Sequence, residues 1–584
     1  MKFLNYTNFL YLCKKIYYIN SKLMKRKNII QFVLILCGIV FAGIVSSKFF
    51  FRIDLTSEKR YTLSPETKRV LRQLDAPLYV HIYLDGQLPV QYRKLRNAIR
   101  EMLDDFKAYS GNRLVYRFFD PSDAESAAER NEQYAALEAN GIRRFIVHKT
   151  NKDGSQSQQI VFPGAILAYK ERQSPVNLLS NNTMIPLEIQ LNASFEALEY
   201  ELIKTINLLI ADSIGTIAFT TGQGEPGMAE LYDLGTEFSN YYNVDFKEIN
   251  GQLDALDPYK AVIITKPRKA FDEKDKFILD RYIMRGGKVM WLIDGANVNT
   301  DSLSTAGMTI ALTSELNLDD QLFTYGVRIN SCVIQDIVST TIGVTTDHSS
   351  HQVVPAPWFY YPLAKPSPNH VITRNLGPVW LRYASDIDTV GRNSEIRKTV
   401  LLQTSEMSRI RGTPFLINLS EVQRMPEKQQ FNSPHRNVAV LLEGNFPSLY
   451  RNRNARVLFP ELQEKQAEKS VQTKMLVIAD GDIAINDVRH TAKGLTPTFP
   501  LGYDRSTGET FANKDFLVNA LIYLTDDNGL MNLRNREYKL RLLNKQKVVK
   551  ELLKWQIINI VLPMILLVVG GLAYNRWRRY RYSV

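Results

Sequence analysis

Two long apolar runs, one near each end of the chain, constrain this 584-residue sequence more than any other feature. Residues 29–46 have Gln31 as their only internal polar residue, and residues 555–574 have Gln556 and Asn559. At 1.5 Å per residue each run forms a helix of about 27–30 Å, which is enough to cross the hydrocarbon core of a bilayer. The sequence therefore predicts one transmembrane helix at each end of the chain.

The positive charge of the chain is concentrated beside these two runs. Residues 1–27, 534–554 and 575–584 together carry +17, so that 47–533 is left at −4 within a whole-chain charge of +13. A nucleic-acid-binding body would carry a basic face. The charge distribution therefore excludes a nucleic-acid partner and favours contact of the two ends with membrane lipid.

The basic residues before the first run orient the chain in the membrane. Lys25, Arg26 and Lys27 precede it, and the positive-inside rule places such a cluster in the cytoplasm. No other long apolar run follows before residue 555, so we expect an exported body with both termini in the cytoplasm. A cleaved signal peptide is the alternative, although 46–51 is a poor cleavage site. Met24 is an alternative start of translation.

Composition and periodicity divide the chain into seven segments. They are a cytoplasmic tail (1–28), the first transmembrane helix (29–46), a first exported domain (47–185), a second exported domain (186–530), a basic juxtamembrane helix (531–554), the second transmembrane helix (555–574) and a cytoplasmic tail (575–584). The first exported domain has the predicted order β-α-β-α-β-β, with a hairpin of 144–148 and 159–169. That order resembles a thioredoxin-like domain without its Cys-x-x-Cys motif.

The second exported domain opens with a long helix, 186–210, and then alternates strands and helices. Its strands are almost continuously apolar, at 216–220, 261–265 and 288–293. Strands of this kind are typical of a parallel, doubly wound sheet with both faces covered. The fold class expected for the exported body is therefore α/β.

A glycine-containing loop follows the first strand of this domain. Gly222, Gln223, Gly224 and Glu225 lie between a predicted strand and a predicted helix. Such a loop at the carboxyl end of a parallel strand is a candidate ligand-binding site. The alternative is a tight strand-to-helix turn in which the glycines serve backbone geometry.

Two other clusters were considered as metal sites. His348 and His351 lack a neighbouring set of ligands, and Asp480, Asp482 and Asp487 follow a strand end as a polar loop would. We predict neither a metal nor a cofactor. Cys332 has no partner for a disulfide in the exported body, and no phosphate-binding G-x-x-x-x-G-K-[ST] motif occurs.

The basic segment before the second run carries apolar residues at roughly helical spacing. These are Tyr538, Leu542, Val549 and Leu553. The segment is either a solvated connecting helix or a helix that docks on lipid or on a membrane partner.

Several distinctive motifs resemble the GldG family, the gliding-motility-associated auxiliary components of an ABC transporter in Bacteroidota-type bacteria. They lie just after the first run and near the end of the chain, at 51–56, 59–64, 500–504, 508–516, 532–534 and 555–563. The resemblance extends from about 24 to 579, and residues 1–23 depart from it.

The resemblance implies an inner-membrane protein with a periplasmic body, which works beside an ABC permease and a cytoplasmic ATPase. It also implies that the second domain resembles class I amidotransferase-like folds and a domain of intraflagellar transport proteins. The nucleophile elbow of that fold would fall near Asp294, where no Cys or Ser nucleophile stands. We therefore expect a non-catalytic auxiliary subunit; a periplasmic module that binds a glycan or a peptide is the alternative.

Overall fold

A computed structural model describes most of the chain. The described residues are 34–38, 40, 62–150, 156–179, 186–211, 214–345, 353–391, 395–423, 426–457, 459–460, 467–491, 494–535 and 545–582. The chain forms one compact unit, Met1–Arg536, and a second unit, Glu537–Val584. Residues 34–38 and 40 are helical, but the rest of the predicted first span lies outside the described residues.

The first part of the compact unit mixes helices and short strands. In chain order it contains α1 (Pro65–Arg72), β1 (Leu78–Ile82), α2 (Val90–Tyr109), β2 (Leu114–Phe118), α3 (Ala127–Ala139), β3 (Phe145–Thr150), β4 (Gln156–Val161), β5 (Gly164–Tyr169), β6 (Arg172–Asn177) and α4 (Leu187–Ile210). Helix α1 begins with an N-cap: the Ser64 side chain accepts the Thr67 amide, and Pro65 takes the first helical position.

Four of these strands form a sheet in the order β2-β1-β5-β6. β1 is parallel to β2 and antiparallel to β5, and β5 is antiparallel to β6. β3 and β4 pair with each other in a separate hairpin. The predicted strand 159–169 was therefore wrong as one element: it breaks between β4 and β5, where Pro163 stands, and β5 continues in a different sheet.

Helix α4 ties this first part to the rest of the compact unit. Its buried Glu199 accepts hydrogen bonds from the Ser64 amide at 2.9 Å and from the Thr67 hydroxyl at 2.7 Å. The same helix packs on β6, on α2 and on the short 3-10 helix Leu530–Asn535. One continuous apolar core therefore runs through both parts.

The second part holds a large sheet with helices on its faces. Its first elements are β7 (Thr216–Thr221), α5 (Tyr232–Ser239), β8 (Asn243–Glu248), β9 (Ala261–Thr265), α6 (Glu273–Met284), β10 (Lys288–Leu292), β11 (Ala296–Asn297), α7 (Thr300–Ala306), β12 (Met308–Thr313), α8 (Asp319–Tyr325), β13 (Val327–Ile329), β14 (Cys332–Asp336), β15 (Ser339–Thr345) and β16 (Val353–Pro366). The strands predicted at 216–220, 261–265 and 288–293 are present as β7, β9 and β10.

The remaining elements complete the sheet and lead to the second unit. They are β17 (Val379–Trp380), β18 (Ile387–Thr389), β19 (Ile396–Gln403), β20 (Ser408–Gly412), β21 (Phe415–Asn418), β22 (Asn437–Gly444), β23 (Thr473–Ile478), β24 (Val488–Thr491), β25 (Gly494–Pro497), β26 (Tyr503–Asp504), β27 (Glu509–Thr510), α9 (Asn513–Thr525) and α10 (Lys545–Tyr582).

The large sheet is mixed and not wholly parallel. Its order is β15-β16-β19-β22-β23-β10-β9-β7-β8, with β17 beside β16. The strands from β8 to β23 in this order are parallel. The prediction of a parallel sheet was wrong beyond β23, because β22, β19, β16 and β15 continue it by antiparallel pairing.

Alternate side chains of the parallel strands bury opposite faces of this sheet. In β10, Met290 and Leu292 join the core that contains α5 and α9, whereas Val289 and Trp291 join the core that contains α6 and α8. This period of two on a doubly covered sheet gives a three-layer α/β/α arrangement.

The basic helix predicted at 531–554 differs from the observed elements. Residues 530–535 belong to the compact unit, because Leu530, Met531 and Leu533 are buried in its core. Residues 536–544 lie outside the described residues, and α10 then runs without interruption from Lys545 to Tyr582 through the predicted second span.

Candidate functional site at the carboxyl edge of the sheet

The carboxyl ends of the parallel strands form one edge at which the candidate residues meet. After β7 the chain places β8 on one side, then crosses to place β9 and β10 on the other. The order of the strands thus reverses between β7 and β9, and ligands of open α/β sheets bind at such a reversal. The predicted loop at Gly222 follows β7 and therefore lies at this point.

The loop is closed largely by its own groups. The Glu225 carboxylate accepts the Thr220 hydroxyl at 3.0 Å and the Gln223 amide at 2.7 Å. The backbone carbonyl of Gln223 accepts the amides of Arg268 and Lys269, which follow β9. Gly222 and Gly224 both have positive φ, as a tight turn requires.

The Gln223 side chain links the loop to the next helix. Its side-chain amide group donates to the Asp275 carboxylate of α6 at 2.9 Å, while its Oε1 atom is buried without a hydrogen-bond partner among the described residues. Burial raises the pKa of Glu225 and of Asp275. The turn and the ligand-binding interpretations both remain compatible with this geometry.

A charged cluster that sequence reasoning missed lies at the ends of the next three strands. Lys266 follows β9, Asp294 follows β10, and Asp480 and Asp482 follow β23. The Lys266 ammonium group lies 3.4 Å from the Asp294 carboxylate and forms a closer ion pair with Asp482. The Asp294 carboxylate also accepts the Gly481 amide at 2.6 Å.

Asp480 is fully buried behind this ion-pair cluster. Its two carboxylate oxygens accept backbone amides, from Asp482 at 2.8 Å and from Arg382 at 2.7 Å. Asp487, which the sequence grouped with Asp480 and Asp482, pairs instead with Arg382 and Arg505. The aspartates of the predicted acidic loop therefore do not form one cluster: Asp482 pairs with Lys266, whereas Asp487 pairs with the two arginines.

Burial and like charge act together on these groups. Burial, with a smaller contribution from Asp482, raises the pKa of Asp294, and the same causes raise the pKa of Asp480 well above its usual range. Burial lowers the pKa of Lys266, but Asp294 and Asp482 outweigh it, so the net shift is upward. Lys266 is therefore cationic at neutral pH and stabilises the carboxylates around it.

The cluster has the donor set of a hard-cation site but already contains a cation. Carboxylate oxygens of Asp294, Asp480 and Asp482 lie within 4.8 Å of one another, an arrangement that suits Ca²⁺ or Mg²⁺. The Lys266 ammonium group occupies this space through its two ion pairs. A cation of the chain itself is thus already paired with two of the three carboxylates.

The catalytic elements of an amidotransferase-like elbow are not assembled here. Helix α6, the Gly286-Gly287 turn and β10 precede Asp294, and β11 follows it, where the elbow would pass directly into a helix. Ser385 is tied to backbone groups: its hydroxyl donates to the Cys332 carbonyl and accepts the Gly295 amide. Burial raises the pKa of the Cys332 thiol to about 11, which keeps it un-ionised.

The other predicted residues fall in the second unit or outside the described residues. His348, His351, Tyr538 and Leu542 are not described. Leu553 lies on α10 with 70% of its surface exposed, and Val549 lies one turn before it. Among the described residues, Glu551–Arg581 of α10 is the helix that is long and apolar enough to cross a membrane.

Comparison with known proteins places the chain in a family. Residues 215–520, a little over half of the chain, match a family described as an ABC-type uncharacterized transport system. Residues 57–168 match a domain of unknown function. The large sheet and the terminal apolar helix define a membrane-associated α/β protein, and the chain belongs to this family of ABC transporter auxiliary components.

Two individual proteins are also similar to the chain. An uncharacterized protein of Borreliella burgdorferi is 20% identical over 549 residues, which cover 91% of this chain and 94% of the relative. The structure titled mmIFT52 N-terminal domain is 12% identical, with a TM-score of 0.31, and the match covers 53% of this chain and 98% of that one. At that TM-score the structural likeness supports no conclusion.

Proposed function

We propose that the chain is a non-catalytic auxiliary membrane subunit of an ABC transporter complex associated with bacterial gliding motility. It presents its compact unit on the periplasmic side of the inner membrane, with both termini in the cytoplasm. The observation that carries the proposal is the family match over 215–520 in a chain whose α10 can span a bilayer.

The chemistry of the sheet edge supports a non-catalytic role. Its acidic groups pair with Lys266 or accept hydrogen bonds from backbone amides, and Ser385 is held by two backbone groups. A nucleophile needs a free lone pair and a base beside it. The ion pairs and hydrogen bonds of the described edge instead connect the ends of β9, β10 and β23, which is a structural role.

The first part of the compact unit is proposed to be a thioredoxin-like domain. Its order β2-β1-β5-β6, with β5 antiparallel to β1, supports this assignment, and the β3-β4 hairpin is an addition. No Cys lies between 57 and 168, so a role in protein contact suits it better than a redox role.

The permease and the ATPase are the proposed partners, and the basic segment before the apolar part of α10 is the proposed contact. Tyr538, Leu542, Val549 and Leu553 supply apolar side chains among lysines and arginines just before the apolar part of α10. Such a segment suits a lipid surface or the side of a membrane partner.

Purification of the native complex in mild detergent tests the assembly. We expect the permease and the ATPase to co-purify with the chain, and the pair Leu542→Asp and Val549→Asp to reduce their recovery about tenfold or more. The matched control replaces two exposed residues of the compact unit, Val471→Asp and Leu495→Asp. Full recovery of both partners with the first pair would place the contact elsewhere.

The side of the membrane is tested separately. A reporter enzyme that is active only outside the cytoplasm is inserted at Gly508, in the turn between β26 and β27. We expect activity from this fusion and none from a fusion at Val584. The opposite pattern would contradict the periplasmic assignment.

A ligand-binding role at Gly222, Gln223, Gly224 and Glu225 is the second candidate. The position of this loop at the strand-order reversal favours it, as does the unpartnered buried Oε1 atom of Gln223. In that role Glu225 would exchange its contact with the Gln223 amide for a contact with the ligand.

A further inference from the structure

A large polar cleft lies between the two parts of the compact unit, away from the sheet edge. Its volume is about 970 Å³, at the upper end of the range for small-molecule pockets. Its walls come from the end of α3, from β6, α4 and α5, from the start of α9, and from residue 534. None of the residues of the edge cluster or of the glycine loop lines it.

The charges that line the cleft are balanced, and part of them is already paired. Five acidic and five basic side chains line it. Arg144 pairs with Glu138 at 3.0 Å, Lys204 with Glu201 at 2.7 Å, and Lys514 with Glu237 at 3.8 Å. Asp515, in the first turn of α9, has no ion-pair partner among the described residues.

Arg534 is a cation of the cleft whose hydrogen-bonding capacity is only partly used. Its Nη2 atom donates to the Arg374 carbonyl at 3.2 Å, and its guanidinium group lies 5.6 Å from the centroid of the Tyr200 ring. Its Nη1 atom is buried and has no hydrogen-bond acceptor among the described residues. A guanidinium group that lines a cleft and whose donors are only partly used is suited to pair with a carboxylate.

The aromatic side chains of the cleft favour a peptide over a sugar. Glycans bind by stacking on open aromatic faces, but the Tyr241 ring is covered by the Lys204 ammonium group at 5.3 Å. Phe511 is buried against Trp380, with ring centroids 6.2 Å apart. Amide side chains that can pair with peptide groups are present instead, at Asn240, Asn375 and Asn519.

We propose that this cleft binds a short peptide with free ends, whose terminal carboxylate pairs with Arg534. A peptide of this kind carries one charge of each sign, the lining offers side chains of both signs, and acidic residues such as Asp515 suit its ammonium end. This goes beyond the auxiliary role, which specifies no ligand.

Arg534 lies on an element that is packed into the compact unit. It belongs to the 3-10 helix Leu530–Asn535, which packs on α4.

Binding to the full-length chain in detergent micelles tests the proposal. The probe is a pool of hexapeptides with uncharged side chains and free termini. The comparison is the same pool with amidated C-termini, which lacks only the terminal carboxylate. We expect the free-acid pool to bind saturably and amidation to weaken binding about tenfold or more. Because the protein is unchanged between these two arms, the comparison does not depend on the folding of a variant.

Protein variants assign the effect to the cleft. Arg534→Gln should weaken binding of the free-acid pool as much as amidation does, and should not weaken the amidated pool further. Arg534→Lys should recover part of the affinity, and Arg489→Gln, an exposed arginine outside the cleft, should leave it unchanged.

Three results would overturn the proposal: no saturable binding up to about 1 mM peptide, equal affinity for both pools, or binding of oligogalacturonate in place of the peptides. The measurement needs neither the permease nor the ATPase. Failure to bind peptide would therefore not contradict the proposed complex with the permease and the ATPase. Failure of those two partners to co-purify would likewise not contradict peptide binding.

Discussion

The ammonium group of Lys266 lies 3.4 Å from the carboxylate of Asp294, and the two residues follow neighbouring parallel strands. With Asp482 as a second partner, Lys266 links the ends of three neighbouring strands, β9, β10 and the distant β23. This internal cation lies at the carboxyl edge of the sheet, the edge at which open α/β sheets bind ligands.

Removal of this cation should destabilise the compact unit. Lys266→Met leaves Asp294, Asp480 and Asp482 close together without their positive partner, and we expect a loss of about 3–5 kcal/mol in the free energy of unfolding. Urea denaturation at neutral pH measures it, and Lys269→Met, an exposed lysine of the same loop, is the control. Addition of Ca²⁺ should restore part of the loss in Lys266→Met only.

The stability that Lys266→Met loses should also depend on pH, and the loss should be larger at higher pH. The pKa values of Asp294 and Asp480 are already raised, and they rise further when the ammonium group is absent. The folded variant therefore holds protons that the unfolded chain releases above about pH 4, so its stability falls as the pH rises. A penalty that is the same at pH 5 and pH 7.5 would contradict this account of the cluster.

Gly222 should not tolerate a side chain. Its φ is +113°, and a Cβ atom there would lie 2.9 Å from Cγ of Glu248. We expect Gly222→Ala to cost about 1–3 kcal/mol. Gly227→Ala is the matched control, because no atom lies within 4 Å of its Cβ position. Equal unfolding midpoints for the two variants in urea would show that the loop relaxes freely.

His370 should make the protein sensitive to mild acid. Burial lowers its pKa to about 4, and its Nδ1 atom accepts the Ile372 amide at 3.3 Å, which requires the neutral ring. Between about pH 6.5 and 4 the unfolded chain takes up the proton first, so stability falls as the pH falls.

The effect of His370 should reach about 1–3 kcal/mol at pH 4, an amount already reduced for its partial exposure. His370→Asn removes the titrating group, so its stability should change less than that of the wild type between pH 7 and 4. His490→Asn, at an exposed position, should retain the wild-type slope. An unaltered slope in His370→Asn would assign the acid sensitivity to other groups.

Truncation tests the first predicted span. A chain that ends at Asn535 lacks α10, and we expect it to stay with the membrane through an alkaline carbonate wash because 29–46 anchors it. Removal of 1–46 as well should release the chain. If loss of α10 alone releases it, the first run is not an anchor.

Local patterns in the sequence were sufficient for most individual elements. The helix predicted at 186–210 and the apolar strands predicted at 261–265 and 288–293 are present to within a residue or two. Local hydrogen bonds and alternation of burial decide these features, and both are encoded by residues close in sequence. The position of Gly222 after a buried strand was predictable for the same reason.

The candidate site was only partly predictable. The two aspartates at 480 and 482 were recognised as a polar strand end, but no pattern around Lys266 indicated that it would meet them. The charge of a lysine after a strand is compatible with a solvated loop. Its role follows only from which strands are neighbours.

The sequence alone determined the apolar run that becomes α10, the segregation of basic charge to the two ends and the α/β class of the compact unit. Tertiary structure decided the antiparallel pairing of β22 with β23, the ion pairs of Lys266, and the cleft that Arg534 shares with β6 and α9. These features join residues up to several hundred positions apart. Local propensity carries no information about such pairs, because their energy depends on which strands and helices become neighbours when the whole core is buried.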